Sequence, residues 1–123
     1  MNLGWCDVCL RVKSALESRR FYADLGFHRV EGSDEEGWAV VTNGDLRLGL
    51  FEPVFMSDPV SLNFRGGDVL KNAEELADKG HVFESGPRAG KNGGGTALLR
   101  DPDGFAISLD TAPGETKKVH PID

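Results

Sequence analysis

The chain has 123 residues, of which 39% are hydrophobic and 28% charged, as is typical of a globular domain. The formal net charge of −6 argues against non-specific nucleic-acid binding, which requires a basic surface. No apolar run approaches the roughly 20 residues that span a bilayer, and the first residues lack the features of a signal peptide. We therefore expect one cytoplasmic domain that binds neither nucleic acid nor membranes.

Alternation predicts the first strand. One face of this strand is apolar and the other is mixed, because Val8, Leu10 and Val12 alternate with Asp7, Cys9 and Arg11. The capping-box pattern Ser14-Ala15-Leu16-Glu17 predicts the start of a helix, and Gly26 predicts its end. The residues at helical spacing are Ala15, Ser18, Phe21, Tyr22 and Leu25.

The remaining elements are predicted from apolar runs and turn residues. In the first half they are strands at Phe27–Glu31, Trp38–Thr42 and Leu46–Phe51, the last two joined at Asn43-Gly44. The second half has a strand at Val60–Arg65, a helix from Val69 to Gly80, and strands near His81–Glu84, Thr96–Arg100 and Phe105–Asp110. The resulting modules span about residues 3–52 and 60–111, with a linker at 53–59 and a polar tail at 112–123.

An internal repeat relates the two halves. Gly26 and Gly80, and likewise Arg11 and Arg65, are 54 residues apart. The order βαβββ therefore occurs twice, which predicts an α+β fold. We expect a curled mixed sheet around a concave cavity, with the helices on the outside. The sequence leaves open whether the modules pair within one chain or between the chains of a homodimer.

The last two strands form a predicted hairpin. Its turn is Asp101-Pro102-Asp103-Gly104, in which proline presets φ and glycine closes the turn. After the turn, alternation places Phe105, Ile107 and Leu109 on a face that packs against a helix. Ala106, Ser108 and Asp110 then face the cavity.

Three further features give no firm indication of function. Cys6 and Cys9 are three residues apart on a strand and so face opposite sides, which argues against a redox or zinc motif. The segment Gly86–Gly95 fails the spacing of a phosphate-binding loop, so it is either a lid or a plain flexible connection. The tail Pro113–Asp123, with His120, is expected to be poorly ordered or to form a dimer contact.

Two stretches carry a family resemblance. The first contains Arg11-Val12, Ser18-x-x-Phe21-Tyr22 and Leu25-Gly26-Phe27, and the second is Arg100–Ile107. This pattern resembles the vicinal oxygen chelate superfamily, which includes glyoxalase I, extradiol dioxygenases, fosfomycin-resistance enzymes and bleomycin-resistance proteins. The resemblance covers about Leu3–Thr111 and implies the fold more specifically than the activity.

Chemically active members of that superfamily hold a divalent metal with His, Gln or Glu side chains. Carried over residue by residue, the resemblance places the ligand positions at Asp7, Gly49, Ser61 and Ser108. One carboxylate, two hydroxyls and a glycine offer a divalent ion little. Glu52, the nearest carboxylate, has the opposite strand parity to Gly49. The resemblance thus implies a metal-free member with no cofactor.

Parity with these positions predicts the residues that line the cavity. The candidate ligand-binding residues are Asp7, Cys9, Arg11, Trp38, Arg47, Phe51, Ser61, Asn63, Arg65, Arg100 and Ser108. On the strand of Trp38, either Trp38, Val40 and Thr42 or the alternate pair Ala39 and Val41 face inward.

Individual roles remain open at this point. Trp38 and Phe51 either stack on a flat or cationic ligand or belong to the core. Arg11 and Arg65 either clamp a carboxylate or phosphate or pair with surface acids. Asp7 is the one catalytic candidate: it serves as a general base, binds a ligand amine, or pairs with an arginine.

The favoured function is a metal-free binding protein, a homodimer that sequesters a small molecule such as an antibiotic or metabolite, as bleomycin-resistance proteins do. One alternative is a metal-dependent lyase, isomerase or dioxygenase with an atypical ligand set built on Asp7 and Glu52. The other is a metal-free enzyme in which Asp7 is the base.

Overall fold

The computed structural model describes residues 1–118, apart from the side chains of the last two, so His120 lies outside the described residues. The elements are β1 (Gly4–Arg11), α1 (Ala15–Asp24), β2 (His28–Ser33), β3 (Trp38–Asn43), β4 (Leu46–Phe51), β5 (Val60–Gly66), α2 (Val69–Asp78), β6 (Ser85–Ala89), β7 (Gly95–Arg100), β8 (Ala106–Thr111) and a 3₁₀ helix (Glu115–Lys118). The repeated βαβββ order and the α+β class are confirmed, and α2 begins 54 residues after α1. Neither of these helices is long and apolar enough to cross a membrane.

The chain forms two compact units. The first is Asp7–Ser61, and the second combines Met1–Cys6 with the chain from Leu62 onward. Strand β1 therefore contributes its first three residues to the second unit and its last five to the first. Each unit has its own helix and its own apolar core.

The sheet of the first unit has the strand order β2-β3-β4-β1. Strands β1 and β4 run parallel and the other neighbours antiparallel, so the sheet is mixed as predicted. One face packs against α1, because Val41 and Leu50 form a core with Tyr22 of the helix. Val8 and Leu10 lie against the same core, as their alternation predicts.

Helix α1 begins and ends where the sequence predicts. The Ser14 hydroxyl accepts the Glu17 amide N–H at 3.1 Å, and Gly26 follows the helix with a φ of +95°. Phe21 and Leu25 share the helical spacing of Ala15 and Tyr22, but they are 60% and 56% exposed. The sheet covers only the stripe around Ala15 and Tyr22, which is narrower than the apolar spacing suggests.

The second unit has the strand order β5-β8-β7-β6. Its core joins Val69 of α2 to Ala97 and Leu109. The predicted turn is present: the Asp101 carboxylate accepts the Phe105 amide N–H at 2.8 Å. Phe105 itself is 56% exposed, contrary to the prediction, because it still belongs to the turn and β8 begins after it.

The position predicted for β6 is wrong. The strand lies at Ser85–Ala89 rather than near His81–Glu84, and so occupies the start of the expected lid or flexible connection. The rest of that segment is a tight turn in which the Gly90 amide donates to the Gly94 carbonyl at 2.9 Å. Pro87 obscures the strand in the sequence, since proline is tolerated only on edge strands or at irregularities, and the register shifts here.

Candidate functional site

The candidate site of the first unit lies on the sheet face opposite α1. Strand register places Trp38 beside Phe51 and Thr42 beside Arg47. Val41 packs in the core on the helix side, so Trp38, Val40 and Thr42 share the site face, and Ala39 and Val41 do not. This settles the alternative that the sequence leaves open for β3.

Asp7 is held by an arginine. Its side chain is 2% exposed, and Oδ1 accepts a hydrogen bond from Nε of Arg47 at 2.5 Å. Nη2 of Arg47 donates to Oε2 of Glu31 at 2.8 Å, so one guanidinium bridges two carboxylates. Burial lowers the pKa of Arg47, but the hydrogen bonds and charges of Asp7 and Glu31 outweigh it and raise that pKa. Of the three roles left open for Asp7, pairing with an arginine is the arrangement present.

Sequence reasoning missed Glu31, because regular pairing places it on the wrong face. Arg29 pairs with Val41, so Glu31 should face Ala39 on the helix side. A β-bulge between Arg29 and Glu31 instead sets Glu31 opposite Val40, on the site face. Alternation cannot reveal this shift, and the sequence carries no other signal for it.

Gly49 allows the aromatic side chains of the site to come together. A Cβ at this position would lie 2.6 Å from Cε2 of Phe51 and 2.9 Å from Sγ of Cys9. The Phe51 ring stacks on Trp38, with centroids 5.7 Å apart and planes 2° from parallel. Phe55 meets Phe51 edge-on at 6.3 Å, and the indole N–H of Trp38 donates to Glu36.

The other predicted residues of this unit are separate from that cluster. Arg11 is exposed and donates a hydrogen bond to the backbone carbonyl of Ser57. Its partner in this contact is a backbone oxygen and not an acidic side chain. Ser61 is half-buried at the end of the unit. Glu52, the proposed substitute metal ligand, accepts the Ala15 amide N–H at 2.9 Å and so faces the start of α1.

In the second unit, Arg65 pairs with Glu115, whose carboxylate lies 2.6 Å from a terminal guanidinium nitrogen. The guanidinium carbon is also 5.3 Å from the centroid of the Trp5 ring. Glu115 is 5% exposed, and its second oxygen accepts the Ala112 amide N–H at 2.7 Å. For this part of the tail the prediction of poor order is wrong, because Glu115 is anchored in the unit through Arg65.

The remaining candidates of this unit have different surroundings. Oδ1 of Asn63 is buried and accepts no hydrogen bond within the described residues. Ser108 is half-buried opposite Leu98. Arg100 is exposed and pairs with Glu84 at 2.9 Å.

The second unit also contains an open cleft of about 600 Å³ at the start of α2. Asn2, Gly67, Lys71 and Asn72 are among its lining residues, and none of the predicted site residues is. No pattern in the sequence predicts this cleft.

The family's metal-ligand positions do not suit a divalent ion in this chain. Asp7 is bound to Arg47, Gly49 has no side chain, and Glu52 faces α1. The serine hydroxyls at positions 61 and 108 are weak ligands. Within residues 1–118, no three His, Cys, Asp or Glu side chains are placed to hold a metal.

Comparison with known proteins supports the fold. The chain is similar to a Legionella pneumophila protein described as an NAD-dependent benzaldehyde dehydrogenase, at 23% identity over 86% of this chain and 97% of that one, with a TM-score of 0.71. A Vibrio splendidus 12B01 glyoxalase/bleomycin resistance protein/dioxygenase superfamily member is 15% identical over 87% and 97%, with a TM-score of 0.62. A hypothetical protein from Bacillus halodurans C-125 is 15% identical over 90% and 94%, also with a TM-score of 0.62. Identities this low establish the fold alone.

The sequence itself establishes the family. No curated protein matches the chain significantly. The family model of the Glyoxalase/Bleomycin resistance protein/Dioxygenase superfamily, however, matches residues 3–109. The chain therefore belongs to the glyoxalase/bleomycin resistance protein/dioxygenase superfamily.

Proposed function

We propose that the protein binds a planar small organic molecule on the sheet face that carries Trp38 and Phe51, without a metal ion. The observation that carries the proposal is the parallel stacking of these two rings beside an ion-paired polar network. Flat rings stack on flat ligand groups, and small-molecule sites combine aromatic walls with a few fixed polar groups. Phe55, which is 50% exposed, extends the aromatic surface toward solvent.

The donor set supports binding without metal. The single carboxylate at the family's ligand positions, Asp7, is already neutralised by Arg47 at 2.5 Å. The proposed interactions are stacking on the aromatic rings and hydrogen bonding to the polar side chains around them, neither of which requires a metal. The function that we propose for this site is therefore sequestration of a flat antibiotic or metabolite.

The proposal keeps the homodimer and the cytoplasmic location that we expect from the sequence. A homodimer would allow modules of two chains to pair. Sedimentation of the purified protein tests this part: a single species with twice the mass of the chain supports it, and a monomer contradicts it.

A thermal-shift screen with planar heteroaromatic compounds, flat antibiotics included, tests the binding proposal. A ligand that binds only the folded state raises the melting temperature as its concentration exceeds Kd. We expect W38L and F51L to lose the shift that a hit produces in the wild type. F21L is the matched control, since Phe21 is an exposed aromatic residue on α1 and should leave the shift unchanged. If no compound raises the melting temperature, or if W38L and F51L respond as the wild type does, the proposal is wrong.

A further inference from the structure

We infer that the ligand of this site is a planar aromatic carboxylate, with its ring on Trp38 and Phe51 and its carboxylate on Arg11. The inference rests on the planar-ligand binding proposed above and names the chemical class of that ligand. It also gives Arg11 a role, which the sequence leaves open between an anion clamp and a surface ion pair.

Strand register places Arg11 next to the aromatic cluster without making it a member. Trp38 pairs with Phe51 between β3 and β4, and Phe51 pairs with Arg11 between β4 and β1. The preceding residues Leu10 and Leu50 pack in the core on the helix side, so Arg11 and Phe51 share the site face. Since neighbouring strands lie about 4.8 Å apart, the row from Trp38 to Arg11 is about 10 Å wide, which a two-ring aromatic acid spans.

Arg11 retains donors for a ligand. It is exposed, and its Nη1 donates to the backbone carbonyl of Ser57. A guanidinium has five N–H donors, so this contact uses only part of its capacity. Within residues 1–118, no acidic side chain forms an ion pair with Arg11, whereas Arg19 and Arg47 of the same unit each pair with one. A ligand carboxylate would supply the missing acid, and a guanidinium binds it through two parallel hydrogen bonds.

The segment after β4 borders both parts of the proposed site. Phe55 meets Phe51 edge-on, with centroids 6.3 Å apart, and Ser57 follows two residues later with the carbonyl that accepts from Arg11. The aromatic surface and the guanidinium are therefore connected by one short stretch of chain. A carboxylate conjugated to an aromatic ring lies close to the plane of that ring, so one flat molecule can contact both.

The charges on this face favour a ligand with a single negative charge. Glu36 is exposed, its Oε2 accepts the indole N–H of Trp38 at 2.9 Å, and no basic side chain of the described residues pairs with it. Arg11 can neutralise one negative charge, and the unpaired charge at Trp38 is itself negative. We therefore expect a monocarboxylate in preference to an aromatic phosphate, which carries nearly two negative charges at neutral pH.

Isothermal titration calorimetry with three naphthalene probes tests the inference. 2-Naphthoate carries one negative charge, 2-naphthamide has nearly the same shape without the charge, and 2-naphthyl phosphate carries about two charges. We expect the wild type to bind 2-naphthoate about tenfold more tightly than 2-naphthamide, because a hydrogen bond to a charged acceptor is about twice as strong as a neutral one. 2-Naphthyl phosphate should bind no more tightly than 2-naphthoate.

Variants of Arg11 assign the preference to this side chain. R11Q should reduce the affinity for 2-naphthoate about tenfold, to that for 2-naphthamide, because the charge is lost. R11K should lie between R11Q and the wild type, since an ammonium keeps the charge but lacks the planar fork. R20Q is the matched control: Arg20 is an exposed arginine on α1, which packs on the opposite face of the sheet, so R20Q should bind both probes as the wild type does.

The inference is wrong if the wild type fails to bind 2-naphthoate, binds it no more tightly than 2-naphthamide, or prefers 2-naphthyl phosphate. These comparisons need no variant. A loss of 2-naphthoate affinity in R20Q as large as that in R11Q would also overturn it. The thermal-shift screen judges the proposed function separately: an uncharged planar compound that stabilises wild type and R11Q equally, while 2-naphthoate shows no preference, would overturn this inference and leave the proposed function standing.

Discussion

Asp7 and Arg47 lie on neighbouring parallel strands, one residue before the Val8–Leu48 pair, and Nε of the arginine donates to Oδ1 of the aspartate at 2.5 Å. The two partners differ in exposure: the aspartate side chain is 2% exposed and the arginine side chain 25%. The cost of breaking the pair therefore depends on which charge remains.

We expect R47M to destabilise the protein more than D7N. Removing the arginine takes the Arg47 ion pair from a buried carboxylate, and breaking a buried pair from this side costs about 3–5 kcal/mol. D7N keeps an acceptor oxygen and leaves a guanidinium that still reaches Glu31, so the expected cost is about 1–3 kcal/mol. Urea unfolding of both variants measures the difference. An equal or larger loss in D7N would mean that Asp7 is not stabilised as described.

Gly49→Ala should disturb the aromatic stack. The added Cβ would lie 2.6 Å from Phe51 and 2.9 Å from Cys9, so at least one of these side chains must move. Overpacking of this kind costs about 1–3 kcal/mol. In a W5F background the emission of Trp38 alone reports the change, because the chain has only two tryptophans. Unchanged Trp38 emission together with unchanged stability would show that Phe51 does not lie over Gly49.

We expect Glu52 to stabilise the start of helix α1 and not to bind a metal. Its carboxylate accepts the Ala15 amide N–H at 2.9 Å, so E52A loses a helix-capping interaction, worth about 0.5–2 kcal/mol. E52Q keeps an acceptor oxygen and is the matched control, with a smaller expected loss. Circular dichroism during urea unfolding measures both. A loss in E52Q as large as that in E52A would indicate that the charge matters and the hydrogen bond does not.

The pairing of Arg19 with Asp34 should make stability depend on pH in acid. The Arg19 hydrogen bond is the largest cause that lowers the pKa of Asp34 below its ordinary value of 3.8. An acid whose pKa is lower in the folded state stabilises the protein above the unfolded pKa and loses that effect as pH falls through the folded pKa.

The melting temperature of R19Q should therefore be below that of wild type at neutral pH; the difference should shrink once the pH falls below 3.8 and vanish only below the lowered pKa of Asp34 in the folded protein. The effect should be small and weakened by salt, since both groups reach solvent. K13Q, which removes an exposed charge from the same unit, is the control. A difference that stays constant into strong acid would exclude this pair as its source.

Much of the fold follows from local patterns. The capping box at Ser14, the glycines after both helices and the turn at Asp101 were identified in the sequence because each satisfies backbone groups within a few residues. Alternation in β1 correctly assigned Val8 and Leu10 to the core, since regular strands have a fixed side-chain period. The predicted position of β6 was wrong, because Pro87 and a register shift conceal the strand in the sequence.

The candidate site was less predictable, because its decisive contacts are not local. Glu31 reaches Arg47 through a bulge, and Glu115 reaches Arg65 across 50 residues of sequence. Alternation names the side chains on a face but not the partners that neutralise them. The sequence indicates Asp7 as the one catalytic candidate, but it leaves pairing with an arginine as one of three possible roles.

The most direct test of the account is the metal content of the purified wild-type protein, measured by elemental analysis after expression in metal-supplemented medium. Because a guanidinium already occupies the Asp7 carboxylate, we predict no nickel, zinc, manganese or iron in stoichiometric amount. One tightly held ion per chain, lost together with ligand binding on chelation, would contradict the account.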